Sequence, residues 1–376
     1  MTFVQDKQTV DIALQNLLEQ AFKEGPTHGI ALCLSSPQPG LDWQGAVGYT
    51  ERESDKPREG LTVHHPLRIA SVTKTYVAAA TLRLWEAGRV ELDGRVSDYL
   101  DEQTTLLVSA GGYDLNRISP RHLLAHTSGL FDYADSAEFQ AIIRGSPQRH
   151  WTRHAQLQLA MDTGSPYGQP GEVFRYSDTG YLLLGALLET VSEVSLAEAL
   201  RDLLHFDALG LKATWLESQE AIPEGLPALV HQYEGPLDTY DLHPSSDIFG
   251  GGGLCATVGD MAQFMRYLFE GQIFQQSDTL STLLAPVPAQ RGGPDYGIWQ
   301  QVPGVYRLGI QAGEQDRVYF HKGHFGCLAA YVPEYQLALG FSLNVTRQGD
   351  APDRRQQLLA AILALFDPSF SSISRN

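Results

Sequence analysis

A serine stands three residues before a lysine, Ser71 and Lys74, at the head of the apolar run TYVAAATLRLWEAG. On a helix, residues at i and i+3 lie one turn apart on the same side, so the amine reaches the hydroxyl. The helix start adds positive potential that favours a developing alkoxide or oxyanion. A lysine desolvated in a cleft loses its proton near neutrality and serves as a base for such a serine. An N-cap serine followed by a surface lysine has the same spacing, so both readings stand on this segment alone. Of the lysines, only Lys74 has a serine three residues before it.

A second constellation is PGEVFRYSDTGYLLLGALLE, which places Tyr176 and Asp178 at the mouth of an apolar helix. A tyrosine beside a lysinium has its phenolate favoured, and can take a serine's proton and later protonate a leaving group. The plain alternatives are a half-buried loop aromatic for Tyr176 and a helix cap for Asp178. A third is RVYFHKGHFGCLAAYV, a strand ending at His321 whose glycines, Gly323 and Gly326, let backbone approach a ligand closely.

Taken in order, Ser71-Val-Thr-Lys74, Tyr176-Ser-Asp178 and His321-Lys-Gly323 resemble the three motifs of the serine β-lactamase and penicillin-binding protein superfamily. The match is nearest to its class C-like branch, which includes D-Ala-D-Ala carboxypeptidases, D-aminopeptidases and family VIII carboxylesterases. The segments RHLLAHTSGL at 121–130, FDALGLKATW at 206–215, GGGGLCATVGDMAQF at 250–264 and YGIW at 296–299 extend the resemblance over nearly the whole chain. It implies Ser71 as nucleophile, Lys74 as its helical partner and Tyr176 as general base or acid. His321 stands where many relatives have Lys, and the backbone N–H groups of Ser71 and His324 would form the oxyanion hole. Asp178 replaces the frequent Asn; an ionised Asp only accepts hydrogen bonds. That departure points to a substrate with a free amine or hydroxyl near the scissile bond, or to an Asp178–Lys74 ion pair. At His321 a neutral imidazole holds a carboxylate weakly and its charge would vary with pH.

The elements that must position these residues are legible in outline. Residues 8–23 place Val10, Leu14, Leu17, Leu18 and Phe22 on one helical face, and strand-like runs follow at Gly29–Leu34 and Trp43–Tyr49. A helix-rich middle runs from Ser71 to Leu204, with YLLLGALLETVSEVSLAEALRDLL its longest pattern. Another helix, DMAQFMRYLFEG, follows the glycines at 250–253. Short β-rich runs then return (GIWQQV, GVYRLGI, RVYFHKG, CLAAYV, LALGFSLNV) before a closing helix at Arg354–Phe366. The expected fold class is α+β: an antiparallel β-sheet flanked by N- and C-terminal helices, with an inserted all-helical lobe, β-lactamase/transpeptidase-like. Residues 1–70 and 250–376 are expected to form the sheet lobe and 71–249 the helical lobe, with the site in the cleft between them.

With 376 residues, 43% of them hydrophobic and 19% charged, the chain has ample material for a core. A formal net charge of −17 argues against nucleic acid or an anionic membrane surface as partner. Cys33, Cys255 and Cys327 are widely spaced and read as buried small hydrophobes. The pairs His122/His126 and His150/His154 have zinc-chelating spacing but lack the glutamate of HExxH, so packing or capping is the expectation; no metal and no cofactor is called for. No GxSxG elbow occurs. The start lacks a secretory pattern, and the chain is expected to be cytoplasmic. The functional expectation is a serine hydrolase of a small ester, amide or peptide, esterase- or D-aminopeptidase-like. Alternatives are a β-lactamase or D-Ala-D-Ala carboxypeptidase, an acyltransferase, and a non-enzymatic acylated sensor or binder.

Overall fold

Alternation along each strand shows how the sheet is covered on both sides. Ile30, Leu32 and Leu34 of strand β1 (Gly29–Ser35) join one apolar cluster, whereas Ala31 belongs to another on the opposite face. The same division holds for Leu328 and Ala330 against Cys327 and Ala329 on β5 (Cys327–Val332). The structure, a computed structural model, describes residues 7–52, 57–287, 290–291, 306–313, 316–346 and 353–370. The other strands of this sheet are β2 (Trp43–Gly48), β3 (Gln311–Gly313), β4 (Val318–Lys322) and β6 (Leu337–Ser342). Their order is β3-β4-β5-β6-β1-β2, antiparallel throughout. The two ends of the chain meet at its centre, where β1 pairs with β6 and Ala31 lies opposite Ser342.

Helices α1 (Lys7–Lys23) and α5 (Arg354–Ala364) cover one face through Leu14, Leu18, Leu359 and Ile362. On the other face lies α4 (Val258–Phe269). It comes so close that a Cβ at Gly340 would stand 2.5 Å from the Val258 carbonyl oxygen. Beyond α4 is a helical layer centred on α2 (Thr73–Glu86) and α3 (Asp178–Ser192). Every α2 residue from Thr73 to Leu84 is buried, as is every α3 residue from Thr179 to Leu188. Their burial on all sides fits core helices rather than amphipathic surface ones. Among the described residues no single helix is long and apolar enough to cross a membrane.

Two sequence expectations change in detail. The long pattern after Tyr181 breaks at Glu193, which takes a left-handed φ of 60°. A second helix, Leu196–Leu203, then starts in a capping box between Ser195 and Glu198. GVYRLGI is expected as a strand; its described residues, from Tyr306 on, contribute a bridge between Tyr306 and Gln311, and strand β3 begins after it. GIWQQV and YGIW lie outside the described residues. A small three-stranded sheet has no signal in the sequence, with Leu254–Ala256 between Leu67–Arg68 and Trp215–Leu216. Two- and three-residue strands are too short for periodicity to register. This sheet nonetheless ties the segment entering Ser71 to the glycine run at 250–253.

Candidate active site

The chain enters the site under backbone constraint. The Ile69 N–H donates to the Leu254 carbonyl at 3.0 Å, and Ala70 holds a φ of 45°, a conformation costly for a residue with a Cβ. Ser71 follows in a 3-10 turn, Ala70–Val72, that leads into α2. No side chain caps either start. The capping alternative for Ser71 is therefore not realised; its Oγ instead accepts a hydrogen bond from Lys74 Nζ at 3.0 Å.

Lys74 is fully buried, and its three N–H donors all have partners: Ser71 Oγ, the Gly251 carbonyl oxygen at 2.5 Å, and the Asp178 carboxylate. Burial disfavours its charge and lowers its pKa. The carboxylates of Asp178 and Asp247 more than reverse that, so its pKa is raised above the ordinary 10.5. The resting site thus holds a lysinium, not the neutral amine that desolvation alone suggests. Asp178 is the first residue of α3, where the helix start favours its negative charge. Capping falls to Ser177, whose Oγ accepts the Gly180 N–H at 3.3 Å.

Tyr176 lies within 5.0 Å of Lys74 Nζ, measured to the ring centroid. Its hydroxyl lies near enough to Ser71 for that side chain to favour the ionised form. Burial and the nearby Asp178 charge outweigh that influence and hold its pKa well above 10.0, so the resting group is a phenol rather than the expected phenolate. Its ring stacks on His126, with centroids 4.3 Å apart. His126 clamps the whole Arg175–Ser177 segment. Its carbonyl accepts the Arg175 N–H at 2.8 Å and its Nδ1 accepts the Ser177 N–H at 3.1 Å. Burial and the Lys74 charge push its pKa well below 6.5, so it is a neutral support. His122 has a separate role, closing a capping box with Ser119, and His150 packs edge-on against His243. Among the described residues no three His, Cys, Asp or Glu side chains converge on a metal-sized site.

The opposite wall comes from β4 and the turn to β5. His321 is buried between the Lys322 carbonyl, 3.0 Å from Nδ1, and the Tyr306 hydroxyl, 3.1 Å from Nε2. The carbonyl can only accept, so Nδ1 carries the proton and Nε2 receives the Tyr306 O–H. Burial and the Lys74 charge drive the imidazole pKa down to about 3. The expected pH-dependent charge on His321 is therefore absent over the physiological range. Lys322, the next residue, turns away to Asp353 at 3.2 Å. Gly323 packs where nothing larger fits: a Cβ there would lie 2.2 Å from Cys327 Sγ and 2.4 Å from the Ile69 carbonyl oxygen. This contact sets the 323–327 turn against the segment leading into Ser71. The side chain of His324 points to Glu234 at 3.1 Å, so any role for it in the site belongs to its backbone.

The three motifs singled out in sequence thus meet around Lys74. Four participants were not foreseen: His126, Gly251, Tyr306 and Asp247. His126 lay within RHLLAHTSGL, where the histidine spacing drew attention to metal chemistry instead. Asp247 lies in a loop with no motif. Burial and the Asp178 charge push its carboxyl up to about 7, against Lys74, His324 and Arg68.

A family model described as Beta-lactamase matches residues 15–363. The chain is 24% identical over 309 residues to Penicillin-binding protein 4* of Bacillus subtilis (strain 168), covering 76% of this chain and 61% of that one. It is 30% identical over 323 residues to Esterase EstB of Burkholderia gladioli, covering 78% and 80% of the two chains. A solved D-stereospecific amidohydrolase from Streptomyces sp. superposes with a TM-score of 0.74 at 26% identity, covering 96% of this chain and 99% of that one. The chain spans less than two thirds of Penicillin-binding protein 4* and most of the other two.

Proposed function

Because the chain belongs to the Beta-lactamase family, we propose that it is a serine hydrolase that cleaves a small ester or amide through an acyl-enzyme on Ser71. The observation that carries this reading is the Ser71 hydroxyl itself. It caps no helix, follows a strained residue, and accepts a hydrogen bond from a buried Lys74 at 3.0 Å.

The resting protonation states suggest how the proton moves. Lys74 is a lysinium against the Asp178 carboxylate, and Tyr176 is a phenol facing Ser71. As a substrate carbonyl docks, the Lys74 proton crosses to Asp178, and the freed Nζ takes the proton of Ser71 Oγ while Oγ bonds to the carbonyl carbon. Tyr176 protonates the departing alkoxide or amine and recovers its proton from Lys74. The proton on Asp178 then returns to Lys74. Water repeats the sequence in the deacylation half, with Ser71 Oγ as the leaving group. Proton transfer of this kind contributes about 10²–10⁴-fold. The contact of Gly323 with the Ile69 carbonyl supports the backbone N–H groups of Ser71 and His324 as the oxyanion hole, worth about 10²–10³-fold per donor.

A neutral His321 offers no cation to a substrate carboxylate. Esters and amides without a carboxylate near the scissile bond are accordingly favoured over penicillins and D-Ala-D-Ala peptides. The test is a panel of nitrophenyl esters, amino-acid amides of both hands, a D-Ala-D-Ala peptide and a cephalosporin, with intact-mass detection of the acyl-enzyme. Hydrolysis is expected in the wild type and its loss in Ser71→Ala. Activity surviving Ser71→Ala would overturn the reading, and a single burst without turnover would make the protein a sensor.

A further inference from the structure

Three basic side chains act on the Asp247 carboxylate, and each is committed elsewhere. Lys74 spends its three N–H donors on Ser71, Gly251 and Asp178. Arg68 forks onto Glu217 at 2.7 and 2.9 Å and donates to the Thr239 and Leu242 carbonyls. His324 is drawn to Glu234. Among the described residues, no hydrogen bond or ion pair reaches the Asp247 carboxyl oxygens. Its own backbone is firmly placed, with the N–H donating to the Pro244 carbonyl at 3.2 Å. Such a carboxylate in a recessed position is costly to keep without a partner.

Its location relates it to the nucleophile. Asp247 shares a small cavity with Ala70, the residue before Ser71, with the Arg68–Glu217 pair, and with Gly253 and Phe325, the last from the turn beside His324. A Cβ on Gly252 would lie 1.9 Å from Asp247 Oδ2, one residue along from the carbonyl that Lys74 holds. Asp178, where the sequence suggested amine recognition, is spent on Lys74. Across the cleft His321 is neutral and adds no cation of its own.

We propose that Asp247 is the specificity-determining carboxylate of this site and takes the ammonium group of a substrate carrying a primary amine beside its scissile carbonyl. This rests on the acyl-enzyme reading of Ser71. The bound ammonium supplies the missing counter-charge and donates to Asp247, while the carbonyl lies between Ser71 and the 323–327 turn. A deamino analogue leaves the carboxylate unpaired, which is the larger part of the discrimination.

The test compares benzyl esters of alanine, of both hands, with benzyl propionate. The ratio of their kcat/KM values in the wild type is expected to favour the amine, and to fall roughly 30-fold in Asp247→Asn, about the worth of one charged hydrogen bond. Asp247→Glu is expected to restore part of it. In the wild type the ratio should be larger at about pH 7.5 than at about pH 5.5, because the Asp247 carboxyl is protonated at the lower pH although the amine is then more fully charged. The groups facing it, Asp178, Lys74, Arg68 and His324, are paired as described. As a second measurement, propylamine should inhibit nitrophenyl acetate hydrolysis by the wild type and lose that potency in Asp247→Asn. A ratio near one in a wild type that Ser71→Ala inactivates would overturn this inference alone. An equal loss on both esters in Asp247→Asn would do the same, since a structural role predicts it. Activity surviving Ser71→Ala would instead remove the reading beneath it.

Discussion

The two walls of the cleft each bury a basic side chain, and they settle its charge in opposite ways. Lys74 on the helical wall and His321 on the strand wall are both essentially inaccessible to solvent. Burial pulls both pKa values down. Lys74 nevertheless stays charged because the Asp178 carboxylate is in contact with it, whereas His321 has only a carbonyl and a phenol, plus the repulsion of Lys74 itself. Depth does not decide the charge of a buried base; the partner does. One wall therefore stores a mobile proton, and the other presents a neutral surface.

The largest break in this contrast is chemical. Ser71→Ala removes the group the helical wall serves and is expected to lower ester hydrolysis by at least ~10⁴-fold, read as steady-state rate and as loss of the acyl-enzyme mass. Next is the pair itself. Lys74→Met leaves Asp178 buried without its cation and should destabilise the fold by about 3–5 kcal/mol in denaturant unfolding. Adding Asp178→Asn to Lys74→Met should recover most of that loss; no recovery would mean the two groups are not coupled.

The strand wall titrates in the other direction. The folded-state pKa of His321, about 3, lies below its ordinary 6.5, so the unfolded chain binds the proton more readily between those values. Its contribution to stability is complete above pH 6.5 and is lost as pH falls toward 3, at up to about 1.4 kcal/mol per pH unit. His321→Asn should flatten that part of the stability curve, and an unchanged acid slope would show that the imidazole is not the group responsible. The smallest expected change is a shift with a partial loss. Asp178→Asn alone removes the carboxylate that takes the Lys74 proton but leaves burial of Lys74 less opposed, so kcat/KM should fall and its pH profile should move toward lower pH.

How much of this was legible in sequence follows the same division. Ser71 and Lys74 were found because their relation is local, one helical turn. Tyr176 and the 321–323 segment were found through resemblance, since nothing local marks a tyrosine in a loop as reactive. The charge states are not legible in the sequence because they depend on long-range neighbours. Desolvation of Lys74 was anticipated, but Asp178 lies 104 positions away and its contact decides the outcome. Asp247, with no motif and no helix to place it, became meaningful only once Arg68, Lys74 and His324 were seen to be committed elsewhere. The main strands and helices were readable from period and length, and the two-residue strands that anchor Ser71 were not.

The pairing of β1 with β6 also orders events in time. Strand β1 ends at Ser35 and its partner ends at Ser342, so about 300 residues must be made before that ladder closes. At ordinary rates of synthesis the first strand waits roughly 15–60 s for its neighbour. The contacts that place Ser71 and Lys74, from Asp178, Gly251 and Leu254, are all synthesised before the 323–327 turn, which belongs to the last strands to emerge. The helical wall can therefore be completed before the wall that faces it.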